Sequence, residues 1–191
     1  MTEQEILDIF KETNAFLAGH FKLSSGLHSR MYLQCARVLQ YPKHAEKLCS
    51  ALAEEFSADK PNVVIAPALG GVLVSYEVAR ALNVKSLFME RVDGKMTLRR
   101  GFELNKKDRV FIVEDVITTG LSTREVVEVV KSFGSILIGV GCLIDRSGGK
   151  ADFGAPFKSL LKINIPTFKP ETCPLCKDKI PITKPGSRSI F

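Results

Sequence analysis

Short apolar runs alternate with amphipathic helical segments between residues 42 and 144 of this 191-residue chain. Strands are predicted near residues 63–65, 85–89, 110–113 and 136–144, and helices from Pro42, near 72–82 and near 121–133. Strands that alternate with helices are typical of an α/β fold with a mostly parallel central sheet flanked by helices. Because such sheets bind ligands beyond the carboxyl ends of their strands, we expect the functional residues to follow the strands directly.

The segment 1–40 lacks this alternation. A helix is predicted for residues 2–18, because Thr2 and Glu5 match a capping box and apolar residues, including Phe16 and Leu17, recur near one face. Turn residues separate short apolar pieces in residues 20–40, which predicts a small β-rich hood. We interpret the chain as a single domain, 1–191, with the helix and hood in 1–40, the α/β core in 42–165 and a surface-wrapping tail in 166–191.

Composition limits the function classes. The net charge is +6, but the basic residues stand in small groups without interleaved aromatic residues, so we do not expect nucleic acid as a partner. The chain has no uninterrupted run of 18 apolar residues, so no membrane span is predicted. The acidic, amphipathic start lacks the features of a signal peptide, and the number of cysteines, five, is odd. We therefore expect a cytoplasmic protein.

The strongest chemical signal lies in residues 110–120, VFIVEDVITTG. Glu114 and Asp115 end an apolar run, and acids at such a position are costly unless they meet a cation or hydrogen-bond donors. Hydroxyl residues and a glycine follow, at the start of a predicted helix that favours an anion. One loop thus offers carboxylates beside an anion cradle, which suits a sugar phosphate bound with a metal. Helix capping beside two solvated acids is the alternative interpretation.

This segment resembles the phosphoribosyl pyrophosphate motif of type I phosphoribosyltransferases, and most of the chain resembles the orotate phosphoribosyltransferase family. The resemblance implies that Glu114 and Asp115 face the ribose hydroxyls and Mg²⁺, with Asp115 also in a catalytic role. It implies that the 5-phosphate is held by Thr118, Thr119, Gly120 and Ser122.

Two further segments carry the resemblance. Residues 65–71, IAPALGG, are placed like the pyrophosphate loop of the family, where Gly70 and Gly71 would let the backbone approach phosphate oxygens and permit unusual φ. A strand-to-helix turn that requires small residues is the alternative. Residues 91–102 resemble the mobile catalytic loop, whose basic residues in this chain include Arg91, Lys95 and Arg99.

We hypothesise that Lys95 meets the leaving pyrophosphate and that Arg91 and Arg99 assist it. Gly94 and Gly101 are candidate hinges for a lid that excludes water. In related enzymes this loop reaches a neighbouring subunit, which implies a homodimer. A solvated hairpin is the alternative interpretation of the segment.

Residues 143–149, LIDRSGG, are the candidates for binding the acceptor. They match a strand end of the family where an arginine meets the orotate carboxylate. A guanidinium can bind a carboxylate bidentately. Residues 21–34 resemble the N-terminal signature of the family around a Ser-Gly turn. The resemblance implies that Arg146, Thr118 and Ser25 bind orotate. A surface pair of Arg146 with Asp145 is the alternative.

The leading hypothesis is therefore Mg²⁺-dependent transfer of ribose 5-phosphate from phosphoribosyl pyrophosphate to orotate, giving orotidine 5′-phosphate for pyrimidine biosynthesis. A purine-base transferase of the same fold and a non-enzymatic sensor of phosphoribosyl pyrophosphate remain alternatives. Arg146 favours orotate, because a neutral purine offers it no carboxylate, and Lys95 argues against a sensor. The chain departs from many family members at Ser24, Leu69, Gly70, Val92 and Thr97.

Cys173 and Cys176 form a C-x-x-C knuckle in the tail. Structural zinc usually needs four ligands, so this pair would require a distant partner in the chain or another subunit. An inert or structural pair and a redox pair are the other interpretations. We expect His20 and His28 to be turn or core histidines rather than site residues.

Overall fold

The computed structural model describes residues 1–23 and 25–184. The α-helices are α1 (Glu3–Glu12), α2 (Ala36–Leu39), α3 (Pro42–Glu54), α4 (Gly71–Leu82), α5 (Leu121–Ser132) and α6 (Pro174–Lys177). The strands are β1 (Phe16–Lys22), β2 (His28–Leu33), β3 (Val63–Pro67), β4 (Lys85–Val92), β5 (Lys95–Leu98), β6 (Arg109–Ile117), β7 (Ile136–Asp145), β8 (Phe157–Lys162) and β9 (Thr167–Phe168). Short 3₁₀ helices occupy Ser57–Asp59 and Pro170–Thr172. Ser24 and the end of the expected tail, 185–191, lie outside the described residues.

Within the described part of the chain, the larger sheet has six strands in the order β5-β4-β3-β6-β7-β8. All neighbouring pairs are parallel except β4 and β5, which form an antiparallel hairpin. The predicted α/β fold with a mostly parallel sheet is therefore confirmed. Since β3, β4, β6 and β7 run in one direction, their carboxyl ends meet at one edge of the sheet, which we call the carboxyl edge.

Apolar residues are buried on both faces of this sheet. Val64 packs in a cluster with residues of α3 and α4, whereas Val63 and Ile65 pack in a second cluster with residues of α5. Alternate residues of a strand point to opposite faces, so a run that is apolar throughout suits a sheet covered on both sides. The run at 63–65 was predicted as a strand for this reason.

The first helix is shorter than predicted. It begins with the expected capping box at Thr2 and Glu5 but ends at Glu12, and the predicted helical residues Phe16 and Leu17 belong to β1. Asn14 has φ 50°, and the N–H of Ala15 donates to the carbonyl of Phe10 at 2.9 Å. This is a Schellman-type helix end with asparagine in the left-handed position, and it turns the chain into the strand.

The hood is a separate small sheet in the described residues, with the order β1-β2-β9. The β-rich hood was predicted, but its third strand comes from the tail. The tail also pairs with β1, where the N–H of Lys22 donates to the carbonyl of Thr183 at 2.8 Å. Strand β8 was not predicted at all. None of the helices in residues 1–23 and 25–184 combines the length and the hydrophobicity that a bilayer crossing demands.

Candidate active site

Glu114 and Asp115 lie near the carboxyl end of β6, a central strand of the sheet. Glu114 is only 8% exposed, and burial, followed by the charge of Asp115, raises its pKa well above the ordinary value. Burial also raises the pKa of Asp115, although the N–H of Val116 donates to its Oδ1 at 2.8 Å. Neither carboxylate forms an ion pair with a basic side chain of residues 1–23 or 25–184. An acid pair in this state, with Glu114 buried and Asp115 half-buried, favours a bound cation, and its oxygen atoms suit Mg²⁺.

An open cavity of about 520 Å³ lies between this acid pair and the amino end of α5. The predicted residues that line it are Arg91, Glu114, Thr118, Thr119, Gly120 and Ser122. Gly120 has φ 72°, and an added Cβ would lie 3.1 Å from the ring of Phe153, so glycine is required at this turn. The start of a helix supplies free N–H groups and positive potential, which suits a phosphate.

The loop after β3 lies directly against the acid pair. A Cβ added at Gly70 would lie 2.8 Å from Oδ1 of Asp115, and one added at Gly71 would lie 3.0 Å from Oε1 of Glu114. The expectation of unusual φ is wrong, because Gly70 has φ −56° and Gly71 begins α4 with no positive φ. Gly70 is required because Asp115 approaches its α-carbon closely, and Gly71 is required chiefly because an added Cβ would lie 2.7 Å from Cβ of Ala66. The Ala68–Leu69 peptide bond in this loop is cis.

The segment expected to be a polar loop forms a β-hairpin. Strand β4 continues to Val92, and β5 returns from Lys95. Asp93 and Gly94 have φ 50° and 79°, as in the two-residue type I′ turns that connect antiparallel strands. Gly94 is therefore a turn residue in this structure.

Arg91 reaches the cavity from this hairpin. Its guanidinium donates to Oε1 of Glu125 at 2.7 Å and more weakly to Oγ of Ser122 at 3.4 Å, and it also forms an ion pair with Oε2 of Glu125. Both partners lie in the first turns of α5. Arg91 is therefore held beside the predicted phosphate cradle by a carboxylate that an incoming phosphate could replace.

In the described part of the chain, Lys95 and Arg99 do not line the cavity. In the hairpin register, Arg91 pairs with Met96 and Val92 pairs with Lys95. Because paired residues share a face and successive residues alternate, Lys95 lies on the face opposite Arg91. Arg99 forms an ion pair with Glu90 at 3.7 Å.

Arg146 follows β7 directly at the carboxyl edge. Its Nε is buried and has no hydrogen-bond partner in the described residues, and burial lowers the pKa of its guanidinium. Burial raises the pKa of Tyr32 on β2, and the positive charge of Arg146 opposes that rise. The alternative surface pair is not formed, since Asp145 is 3% exposed and forms no ion pair with Arg146, and its Oδ1 accepts from the N–H of Ser147 at 2.7 Å. Ser25 lies in the exposed turn between β1 and β2.

The phosphoribosyl transferase domain family matches residues 37–174, well over half of the chain. The orotate phosphoribosyltransferase of Caldicellulosiruptor bescii is 56% identical over 188 residues, which cover 98% of this chain and 99% of the relative. That of Desulforamulus reducens is 55% identical over 190 residues, which cover 100% of both chains. The chain belongs to the orotate phosphoribosyltransferase family.

Solved structures share the fold. An orotate phosphoribosyltransferase from Aeropyrum pernix has a TM-score of 0.64 and 26% identity, covering 82% of this chain and 93% of that chain. The orotate phosphoribosyltransferase of Mycobacterium tuberculosis in complex with inorganic phosphate has a TM-score of 0.67 and 24% identity, covering 84% and 95%. An adenine phosphoribosyltransferase from Trypanosoma brucei has a TM-score of 0.62 and 17% identity, covering 81% and 79%. The fold alone therefore does not choose between orotate and a purine base.

Sequence reasoning missed two residues that adjoin predicted site residues, Glu125 beside Arg91 and Tyr32 near Arg146. Glu125 carries no motif of its own, although its place one turn into the helix after Gly120 is a signal that could have found it. Tyr32 was part of the recognised N-terminal signature, but nothing in the sequence paired it with Arg146. The contacts of all these residues with substrates stay predictions.

Proposed function

We propose that the chain transfers ribose 5-phosphate from phosphoribosyl pyrophosphate to orotate, releasing pyrophosphate and giving orotidine 5′-phosphate for pyrimidine biosynthesis. Identities of 56% and 55% with two orotate phosphoribosyltransferases along the length of the chain support this reaction. One observation of the site supports the choice of acceptor: Nε of Arg146, at the same sheet edge as the acid pair, is buried and has no hydrogen-bond partner among residues 1–23 and 25–184. An anionic, planar acceptor gives that guanidinium a carboxylate for charge-assisted, bidentate hydrogen bonds, whereas a neutral purine offers it no carboxylate.

In the proposed reaction, the bond between ribose C1 and the pyrophosphate oxygen breaks, and the pyrophosphate leaves with the electron pair. A ring nitrogen of orotate forms the new bond to C1 and loses its proton, which passes to the released pyrophosphate or to solvent. Positive charge develops on the ribose ring, so carboxylates fixed beside the ring stabilise the transition state. Glu114 and Asp115 would supply this charge beside the ribose hydroxyls, and residues 118–122 would hold the 5-phosphate.

Mg²⁺, which the oxygen atoms of the buried acid pair fit, would neutralise the growing charge on the leaving pyrophosphate. On the protein side, Arg91 would exchange its carboxylate partner Glu125 for a phosphate oxygen. Lys95 would meet the pyrophosphate in the catalytically closed state and Arg99 would assist it, so both contribute mainly to turnover.

A homodimer would bring a neighbour's Lys95 to the site. Lys95 lies on the hairpin face opposite Arg91 and the cavity of its own chain, which supports action on a neighbouring site. Leu73 and Tyr76 on α4 are 52% and 61% exposed, and Leu69 in the loop before α4 is 79% exposed. An exposed apolar row of this kind is typical of a protein–protein contact.

We also propose a cytoplasmic location, because none of the five cysteines, all of them in the described residues, forms a disulfide, as is usual in a reducing compartment.

A base panel tests the proposed function. The purified protein is incubated with phosphoribosyl pyrophosphate, Mg²⁺ and either orotate, hypoxanthine, adenine, xanthine or uracil, and pyrophosphate and nucleotide are measured. We expect orotidine 5′-phosphate from orotate and no nucleotide from the others. A purine nucleotide as the main product would support the purine-base alternative, and binding of phosphoribosyl pyrophosphate without any product would support the sensor.

A further inference from the structure

Four side chains outside the active site converge between the hood and the tail. His20 lies on β1 and His28 on the neighbouring strand β2, while Cys173 precedes α6 and Cys176 lies on it. The histidines and the cysteines come from opposite ends of the sequence, yet one ligand atom of each side chain lies within 4.8 Å of every other. From this cluster we propose that the chain binds a structural Zn²⁺ through His20, His28, Cys173 and Cys176.

The distances within the cluster fit a tetrahedral ion. Nε2 of His20 lies 3.0 Å from Nδ1 of His28, 3.6 Å from Sγ of Cys173 and 3.8 Å from Sγ of Cys176. Nδ1 of His28 lies 3.3 Å from Sγ of Cys176. A tetrahedral zinc with bonds of about 2.0–2.1 Å to nitrogen and about 2.3 Å to sulfur separates its ligand atoms by about 3.3–3.8 Å. The observed spacing needs only small adjustments to accept the ion.

The surroundings orient His20 for this role. Its Nδ1 lies 2.8 Å from the carbonyl oxygen of Ile180, a group that only accepts, so Nδ1 carries the proton. The lone pair of His20 is therefore on Nε2, the atom that faces the cysteines. A backbone carbonyl behind the ring of a ligating histidine is a common feature of zinc sites.

Burial and ligand chemistry favour a structural zinc over the other interpretations of the cysteine pair. His20, His28 and Cys173 are 3%, 6% and 0% exposed, and Cys176 is exposed, which leaves a path for the metal to enter. Two thiolates and two imidazoles make a complete set of four, with no position left for a substrate. The expectation that both histidines are ordinary turn or core residues is therefore replaced by a shared site.

The ion would join the two ends of the described chain. The hood contributes few large buried residues, and the tail is attached to it by short strand pairing and the hydrogen bonds of Thr183. When a metal site forms only in the folded state, the binding free energy of the metal stabilises that fold. Zinc at this point would fix both strands that flank the turn containing Ser25.

Metal analysis of the intact protein tests the site without reference to catalysis. Protein purified under reducing conditions, loaded with Zn²⁺ and freed of excess is analysed by mass spectrometry for metal content. We expect one zinc per chain in the parent protein and a clear loss in Cys176→Ser and in His28→Ala. Cys49→Ala and His44→Ala, which alter a cysteine and a histidine outside the cluster, are the controls and should retain the metal.

Cobalt substitution gives a second measurement that does not depend on any variant folding. The parent protein loaded with Co²⁺ should show intense visible bands of a tetrahedral ion and a thiolate charge-transfer band. Absence of stoichiometric zinc in the loaded parent protein would overturn the proposal. So would an octahedral cobalt spectrum, or full retention of zinc in the Cys176→Ser variant.

Discussion

Glu114 and Asp115 bring two acidic groups into the buried end of β6, where no basic side chain of the described residues pairs with them. This arrangement works against the stability of the ligand-free fold, since burial without a partner disfavours the charged form. A site that binds a cation together with a sugar benefits from the same arrangement. A functional site that lowers the stability of the fold in this way is common in proteins.

The raised pKa of Glu114 predicts a pH dependence of stability. Between the ordinary and the raised pKa, the folded chain keeps a proton that the unfolded chain has released, so the free energy of unfolding falls as pH rises through that window. Glu114→Gln should remove much of this loss of stability. Toward the upper end of the window its Tm should be higher than that of the parent protein and should depend less on pH, while its activity should drop. Thermal melts of the ligand-free protein over a pH series measure it.

The control is Glu12→Gln, at the exposed end of α1, which should melt in parallel with the parent protein at every pH. If the Glu114→Gln curve also stays parallel to the parent curve, Glu114 does not carry the raised pKa.

Arg146 predicts a selective defect in acceptor use. In Arg146→Ala, the loss of a charge-assisted bond to the orotate carboxylate should cost about 1.5–3 kcal/mol, or roughly one to two decades in binding. Affinity for phosphoribosyl pyrophosphate should change little. Separate titrations of the two substrates measure this, with the exposed Arg37→Ala as control. Normal use of orotate by Arg146→Ala would place the carboxylate partner elsewhere.

At this scale the sequence predicted the candidate residues but not their partners. Glu114, the hydroxyl residues and Gly120 stand close together in 110–120, so one motif places them together in the cavity. The pairing of Arg91 with Glu125 and the nearness of Tyr32 to Arg146 depend on packing between separate elements. The place of Glu125 in α5 is a local signal, but the local pattern does not show which residue it pairs with.

Among the elements, the β4–β5 hairpin has the form of the alternative interpretation of 91–102, a hairpin. Asp93-Gly94 between extended residues is a strong signal for a two-residue turn and fixes where the hairpin turns. Asn14 likewise marks the end of α1, because asparagine tolerates the left-handed conformation there. Strand β8 is harder to predict, since its short FKSLLK sequence does not separate strand from helix.

The hairpin predicts a turnover defect. Lys95→Ala should lower kcat strongly and leave substrate affinity nearly intact, because the exposed Lys95 is expected to meet the pyrophosphate only in the closed state. Lys85→Ala, an exposed lysine at the other end of β4, is the matched control and should keep normal kcat. Steady-state kinetics together with direct binding of phosphoribosyl pyrophosphate separate the two effects. A rise in KM at unchanged kcat would contradict this role.

For the whole molecule, we propose a single domain. One hydrophobic cluster joins Ile6 and Phe10 of α1 and Leu33 of the hood with Val64 and Phe111 of the sheet, which supports a common core. The sequence predicted the layers of this core through periodicity. It could not predict that the hood and the tail meet, because contacts between segments so far apart in the chain depend on the complete fold.

If each active site is formed by two subunits, as proposed for Lys95, inactive variants should complement one another. Lys95→Ala and Asp115→Asn should each be nearly inactive as homodimers. Mixed dimers should regain one working site, formed by Asp115 of the Lys95→Ala chain and Lys95 of the Asp115→Asn chain. Activity after subunit exchange, verified by mass spectrometry of tagged chains, measures the recovery. Verified mixed dimers that stay inactive would assign Lys95 to its own chain.

The pairing of the tail with the hood also orders events during synthesis. The ribosome makes β1 and β2 first, but β9 and residue Thr183, which complete that sheet on both sides, are among the last described residues to be made. Until then the early hairpin exposes unpaired strand edges, which are prone to pair with other chains. The edges of β1 and β2 in the nascent protein therefore stay unprotected until Thr167, Phe168 and Thr183 have been made. Expression that stalls before residue 167 should leave an aggregation-prone fragment.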